Sequence, residues 1–180
     1  MKVTQTPLAG VLLIEPDVHG DERGFFVETF HVQRYADAAG VAIQFVQDNH
    51  SRSRRGVLRG LHLQAARPQG KLVRVSRGEV FDVVADIDPK SPTFGRWVGA
   101  TLSDTNQHQF WIPPGYAHGF LVLSEIADFE YKCTDYYHPQ SEVGVVWNDP
   151  DLGIEWPLEN PTLSDKDRAL PALADFTRSR

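Results

Sequence analysis

An imidazole at His62, in the run Gly60-Leu61-His62-Leu63-Gln64, is followed nine residues later by an ammonium at Lys71, and both lie in a stretch of unusual charge. From His50 to Arg77 the chain carries eight of its eighteen Lys and Arg and no Asp or Glu, although its formal net charge is -6. A nucleic-acid footprint would normally tip the whole domain basic. Cationic density confined to one stretch of an acidic chain points instead to a small polyanionic ligand. A group that takes up a proton beside a group that holds an anion suits chemistry on a phosphorylated molecule.

Something must hold these groups in place, and the surrounding pattern reads as sheet. Val11–Ile14, Phe25–Phe30, Val57–Gln64, Lys71–Ser76, Val80–Ile87, Trp97–Leu102, Phe120–Leu123 and Phe129–Cys133 are short, rich in β-branched or aromatic residues, and bounded by Gly, Pro or Asp. Many short strands with turn signals predict an all-β sandwich or barrel. One helix is expected over Val32–Ala39, with Gly40 as its stop, and a short helical turn after Ser164, whose hydroxyl can cap it.

With 180 residues the chain is long enough for one substantial core and short for two, so residues 1–180 are read as a single domain. A lone cysteine, Cys133, rules out an intramolecular disulfide framework and fits a reducing compartment. Neither a leader pattern at the N-terminus nor a run of eighteen apolar residues occurs, so a soluble, cytoplasmic protein that does not enter membranes is expected.

Strand alternation sorts the candidates by face. Over Gly60–Gln64, His62 shares a face with Gly60 and Gln64 and opposes Leu61 and Leu63. Over Phe129–Cys133, Tyr131 lies on the apolar face with Phe129 and Cys133, which makes it an inward phenol. Residue type alone leaves Tyr131 open between a core phenol bonded to a backbone acceptor and a group with a chemical role, and leaves His62 open between a structural imidazole and a base.

Two motifs resemble the cupins: the Gly-then-His strand, and Pro113-Pro114-Gly115-Tyr116-Ala117-His118. Metal-binding cupins carry a second His and then a Glu after the first motif. Here Gln64 occupies the second His position and no acidic residue appears before Glu79. His62 and His118 alone fall short of the three or four ligands a divalent ion takes, so no metal and no cofactor are expected.

A longer series of motifs resembles the dTDP-4-dehydrorhamnose 3,5-epimerases. Asp21-Glu22-Arg23-Gly24-Phe25-Phe26, Gln47-Asp48-Asn49-His50-Ser51, Gly56 to His62, Gln69 to Arg74, Gly78 to Val83, Ser91 to Gly95, Trp111 to Gly115, His118-Gly119-Phe120, Tyr131 to Tyr137, Trp147 to Pro150 and Leu163 to Asp167 occur in order over nearly the whole chain. Each is weak alone; together they are specific. The resemblance implies a cupin or jelly-roll antiparallel β-barrel with a few short helices and a dTDP-4-keto-6-deoxy sugar as substrate. It also implies a homodimer that exchanges an N-terminal strand.

The chemistry of such a substrate calls for particular groups. C3 and C5 both flank the C4 carbonyl, so loss of either C–H proton leaves an enolate with its charge on the C4 oxygen. Inversion then needs a base on one side of the ring, an acid on the other and a cation for the oxyanion. His62 fits the base, with an unperturbed pKa near neutrality. The resemblance makes Tyr131 the proton donor, a role that suits a phenol protonated at neutral pH. It also pairs His62 with Asp167 as a dyad that fixes the tautomer. Asp167 alone reads as an exposed acid, and nearby Asp165 competes with it; Asp167 is preferred because it follows Lys166, as in the family motif.

Lys71 and Arg59 are the candidates for the oxyanion and the diphosphate, one a compact charge and the other a bidentate fork. Regular alternation puts Arg59 on the face opposite His62, so the two share a cavity only if the strand starts late or bulges at Gly60. That irregularity is predicted. By the same resemblance Arg23, Glu28, Gln47, Asp48, Asn49, His118, Glu142 and Lys166 contact substrate, with Arg23 and Glu28 serving the partner's site. Phe26, Tyr137 and Trp147 are candidates for stacking on the base. The chain departs from the family at Leu63, at the short Ala65-Ala66-Arg67-Pro68 loop and at Asp86-Ile87-Asp88, none of them a proton-transfer group.

Overall fold

The computed structural model describes residues 1–40 and 44–178. In chain order its strands are β1 (Lys2–Gln5), β2 (Leu12–Glu15), β3 (Val18–Asp21), β4 (Gly24–Val27), β5 (Gln47–Arg54), β6 (Leu58–Gln64), β7 (Lys71–Arg77), β8 (Glu79–Ala85), β9 (Trp97–Ser103), β10 (Gln109–Ile112), β11 (Ala117–Val122), β12 (Ile126–Cys133) and β13 (Glu142–Gly144). The helices are α1 (Val32–Ala39), α2 (Asp165–Arg168) and α3 (Leu173–Arg178).

A six-stranded sheet in the order β1-β2-β10-β7-β12-β5 faces a five-stranded sheet in the order β13-β6-β11-β8-β9, and β3 and β4 form a separate hairpin. Neighbouring strands in both sheets run antiparallel, as a jelly roll requires. Between the sheets, Val73, Val75, Val80, Leu102, Phe110 and Phe129 form a buried core, with Phe120 and Phe129 stacked at a centroid separation of 4.0 Å. Truncating a ring at such a site costs on the order of 3–5 kcal/mol.

The outer faces are covered as well. Leu61 and Leu63 of β6 turn away from His62 onto a second cluster with Leu152, Leu173 and Phe176, so the C-terminal segment seals the back of the five-stranded sheet. Helix α1 lays Tyr35 against Leu12, Ile14, Leu72 and Trp111 on the back of the six-stranded sheet. It spans the predicted residues; the His31 ring accepts from Arg34 N, and Gly40 closes the helix at φ 70°.

The strand predicted over Phe25–Phe30 stops at Val27, because its ladder ends with the Val18–Val27 pair and the chain then leaves the hairpin. Strands β1, β3, β5, β10 and β13 escaped the hydrophobic pattern. β5 reads Gln-Asp-Asn-His-Ser-Arg-Ser-Arg, with no apolar period, yet it pairs along its length with β12.

Candidate active site

Between the inner faces of the two sheets lies a pocket of about 600 Å³. Gln47, Asn49, Lys71 and Tyr131 line it from the six-stranded sheet; Arg59, His62, Gln64, His118 and Glu142 line it from the five-stranded sheet. Ser164, Lys166 and Asp167 close one side.

His62 is held by a carboxylate at one nitrogen and faces a second carboxylate, out of hydrogen-bond reach, at the other. Nε2 lies 2.5 Å from Asp167 Oδ1, and Nδ1 lies 3.6 Å from Glu142 Oε1. Asp167 is in turn fixed by its helix. Ser164, the N-cap of α2, accepts from Asp167 N and donates its hydroxyl to Asp167 Oδ2 at 2.8 Å. Burial pushes the Asp167 carboxyl up, but hydrogen bonds from His62 and Ser164 outweigh it and hold the group below its ordinary range. Asp165, by contrast, lies exposed beside Arg168. An imidazole gripped this way at Nε2 keeps Nδ1 for proton exchange.

Tyr131 stands on the opposing sheet, its ring against Phe129. Burial raises its pKa and the nearby Glu142 carboxylate adds to the effect, so the phenol stays protonated. Lys71, paired across strands with Cys133, is half-buried, and among the described residues no carboxylate comes within ion-pair reach of it. Burial pulls its pKa down while Cys133, Glu142 and Asp82 push it back. A partly desolvated ammonium with no counterion favours an arriving negative charge.

Arg59 reaches the same pocket through the predicted bulge. Along β11 the partners of His62 and Arg59 are His118 and Phe120, two residues apart, whereas His62 and Arg59 are three apart, so β6 carries one extra residue. That residue shift brings both side chains to one face. Gly60 makes it possible: its φ is 118°, and a Cβ there would sit 2.7 Å from Gly119 Cα and from the His118 carbonyl oxygen. Arg59 Nε donates to Ser53 Oγ at 3.1 Å, and among the described residues the outer fork of the guanidinium has no ion-pair partner.

Asp48 does not line this pocket. Alternation along β5 turns Gln47 and Asn49 inward and Asp48 outward, where both its oxygens accept from Lys132 at 3.0 Å. Arg23 and Glu28 also lie outside it. Arg23 pairs with Asp21 on the exposed hairpin, and Glu28, just past it, pairs with Arg34 of α1 at 2.6 Å. Phe25 and Phe26 of that hairpin are 61% and 69% exposed. Strand β1 sits at the sheet edge beside β2 of the same chain.

His118 carries a partner that residue patterns did not single out. Its Nε2 lies 2.9 Å from Asp82 Oδ2, and Asp82 has no solvent exposure. The available signal was a lone carboxylate in the apolar run Val80-Phe81-Asp82-Val83-Val84, since a buried charge needs a partner. Gln64, at the position of a metal-binding cupin's second His, is committed elsewhere. Its amide donates to the Arg67 and Tyr136 carbonyls, and its oxygen accepts from His138 N at 2.6 Å. Among the described residues no group of three or more His, Cys, Asp or Glu is arranged to hold a metal ion, so the donor set does not fit a cupin metal centre.

A cupin-type jelly roll with an imidazole and a phenol on facing walls of one pocket has a layout compatible with acid–base chemistry. Residues 5–175 match the family described as dTDP-4-dehydrorhamnose 3,5-epimerase. A protein of that name from Pseudomonas aeruginosa is 56% identical over 176 residues, covering 97% of each chain. A dTDP-6-deoxy-D-glucose-3,5-epimerase from Legionella pneumophila, solved with dTDP-4-keto-L-rhamnose, is 56% identical with a TM-score of 0.93, over 96% of this chain and 93% of that one. A 3'-monoepimerase from Streptomyces bikiniensis, solved with dTDP-quinovose, is 36% identical with a TM-score of 0.91, over 97% and 90% of the two chains. The chain belongs to the dTDP-4-dehydrorhamnose 3,5-epimerase family and is an isomerase.

Proposed function

We propose that this enzyme epimerises dTDP-4-dehydro-6-deoxy-D-glucose at C3 and C5, giving dTDP-4-dehydro-L-rhamnose for dTDP-L-rhamnose synthesis. The observation that carries the reading is the position of His62 and Tyr131 on opposite walls of one pocket, with Lys71 lacking a counterion among the described residues and the diphosphate-binding candidate Arg59 beside them. His62 Nδ1 takes the C–H proton while Asp167 stabilises the imidazolium. Lys71 holds the charge that develops on the C4 oxygen. Tyr131 then gives its proton to the opposite face of the same carbon, and the configuration inverts. No step needs a cofactor, because the 4-keto group itself makes both C–H bonds acidic.

Around the reacting ring, Arg59 takes the diphosphate, and Gln47, Asn49, His118, Glu142 and Lys166 contact the rest of the substrate. Asp48, turned outward, is left out of this set. The whole chain works as one domain, in the cytoplasm, as a homodimer. The exposed β3–β4 hairpin, with Phe25 and Phe26 uncovered, carries Arg23 and Glu28 into the site of a second copy. The buried, unpaired Cys133 suits a reducing compartment. No helix among the described residues is long and apolar enough to cross a membrane.

Incubation with the dTDP-4-keto sugar in D2O tests the reading. Deuterium at both C3 and C5 is expected. Label at one carbon only would make the enzyme a single-position epimerase of the kind the Streptomyces relative is named for, and label at neither would leave a module that only binds the sugar nucleotide.

A further inference from the structure

One inversion leaves the pocket unfit for the next. The C–H electron pair moves into the enolate as its proton goes to His62, and the enolate carbon then takes a proton from Tyr131. What remains is an imidazolium and a phenolate, whereas the next inversion needs a neutral imidazole and a neutral phenol. A proton must therefore leave His62, and one must reach Tyr131, each time a carbon is inverted.

Asp167 is a poor exit. It is 4% exposed, and its second oxygen already accepts from Ser164 at 2.8 Å, so a proton passed to it has nowhere to go. The other nitrogen faces a different kind of carboxylate. Glu142 Oε1 lies 3.6 Å from His62 Nδ1, a gap that a small turn of the ring or one bridging water closes. The same carboxylate accepts from Tyr137 Oη at 2.5 Å and from Lys166 Nζ at 2.6 Å. Tyr137 is 50% exposed and the Lys166 side chain 56% exposed, so the chain of polar groups that starts at a half-buried imidazole ends in water. Sequence neighbours do not explain the grouping: β13 brings Glu142 beside β6 through the Gly144–His62 and Glu142–Gln64 pairs, and α2 brings Lys166 from the far end of the chain.

We propose that Glu142 resets the base: it takes the proton from His62 Nδ1 after each inversion and gives it to water at the exposed edge where Tyr137 and Lys166 hold the carboxylate. The proton acquired from carbon moves from Nδ1–H to Glu142 Oε1, leaving neutral imidazole, and then to water; the Tyr131 phenolate recovers its proton from water, so the two transfers balance. Lys166 and Tyr137 keep the carboxylate below its ordinary range although burial pushes it up, so Glu142 is ionised between turnovers and holds a proton only in passing before releasing it to water. This role rests on the reading of His62 as base and Tyr131 as acid, and it asks more of Glu142 than a substrate contact.

Glu142→Gln keeps the shape of the side chain and removes its proton-carrying capacity. In D2O and at saturating substrate, where a weakened contact no longer limits occupancy, rapid-quench measurement on the variant is expected to show a first exchange event, followed by steady-state turnover slower than that event by at least about tenfold, as loss of an acid–base group gives. Glu142→Ala opens space for a small carboxylate, and added formate is expected to restore steady-state turnover in proportion to its concentration. Unchanged steady-state turnover in Glu142→Gln would overturn the relay while the epimerase reading stands. So would a fall in first exchange, turnover and dTDP affinity together, with no rescue by formate, since that is the signature of a binding contact. Absence of exchange at C3 and C5 in the wild-type enzyme would overturn both readings.

Discussion

His62 Nε2 and Asp167 Oδ1 lie 2.5 Å apart although 105 residues separate them in the chain. The contact selects the tautomer: a carboxylate at Nε2 fixes the proton there and directs the Nδ1 lone pair into the pocket. Asp167→Asn reverses that preference, because an amide can donate to Nε2 and leave Nδ1 protonated. The expected result is a drop in kcat of about 10²–10⁴, with dTDP affinity unchanged by calorimetry. A variant within about threefold of wild type would show that the dyad only anchors α2.

Tyr131→Phe removes the proposed acid and keeps the ring that packs on Phe129. Proton abstraction by His62 should continue while delivery to the opposite face fails. In D2O the variant is therefore expected to exchange substrate C–H protons for solvent deuterium with retention, in excess over inverted product. Exchange and inversion lost to the same extent would assign Tyr131 a structural role.

The alkaline limb of kcat/KM should belong to Lys71. Its folded pKa lies below the ordinary lysine value near 10.4, so its ammonium is lost first as pH rises; Tyr131, raised above the ordinary value of about 10, is still a phenol at that point. Lys71→Arg substitutes a cation that does not titrate in this range and should move the limb upward even if the plateau falls. A limb unmoved in Lys71→Arg would assign it to another group.

The reach of the sequence differed between these groups for physical reasons. His62 and Tyr131 were placed on their faces by alternation alone, since β6 and β12 each carry an apolar side to set the phase. β5 gave no such phase. Its inner face is Gln47, Asn49 and Ser51 because those positions line a polar pocket or its approach, and a strand that lines a site loses the hydrophobic period that reveals strands. Asp48 parted from its neighbours for the same reason: the family motif was read as a block, while the pleat splits it between two faces. Asp167 came only from the family resemblance, because a contact spanning 105 residues leaves no local trace. The link between Arg59 and His62 was legible as a conflict: the chemistry wanted one face, alternation gave two, and a glycine stood between them.

That glycine can be tested directly. A Cβ at Gly60 meets the backbone of His118 and Gly119 at 2.7 Å, and the residue sits at φ 118°, a conformation side chains disfavour. Gly60→Ala is expected to lose several kcal/mol of stability, about 2–3 or more, through strain and a displaced β11. Activity should fall further than stability at temperatures where the variant stays folded, because Arg59 and His62 no longer share one face. A melting temperature equal to wild type would mean that the bulge tolerates a side chain.

The hairpin gives a test that separates action within one chain from action between two. If Arg23 serves the partner's pocket, Arg23→Glu and His62→Ala damage different halves of the same site. Each variant alone is expected to be inactive. In a mixed dimer, one pocket combines the barrel carrying His62→Ala with the charge-reversed hairpin and is doubly damaged, whereas the other combines an intact His62 with an intact Arg23. Random mixing puts half of all dimers in that state, so about a quarter of the wild-type site concentration should reappear. Activity measured after co-refolding the two variants, against each refolded alone, reads this directly. Failure to regain activity, with mixed dimers confirmed by mass spectrometry, would mean that Arg23 does not act across the interface and that the exposed Phe25 and Phe26 meet some other surface.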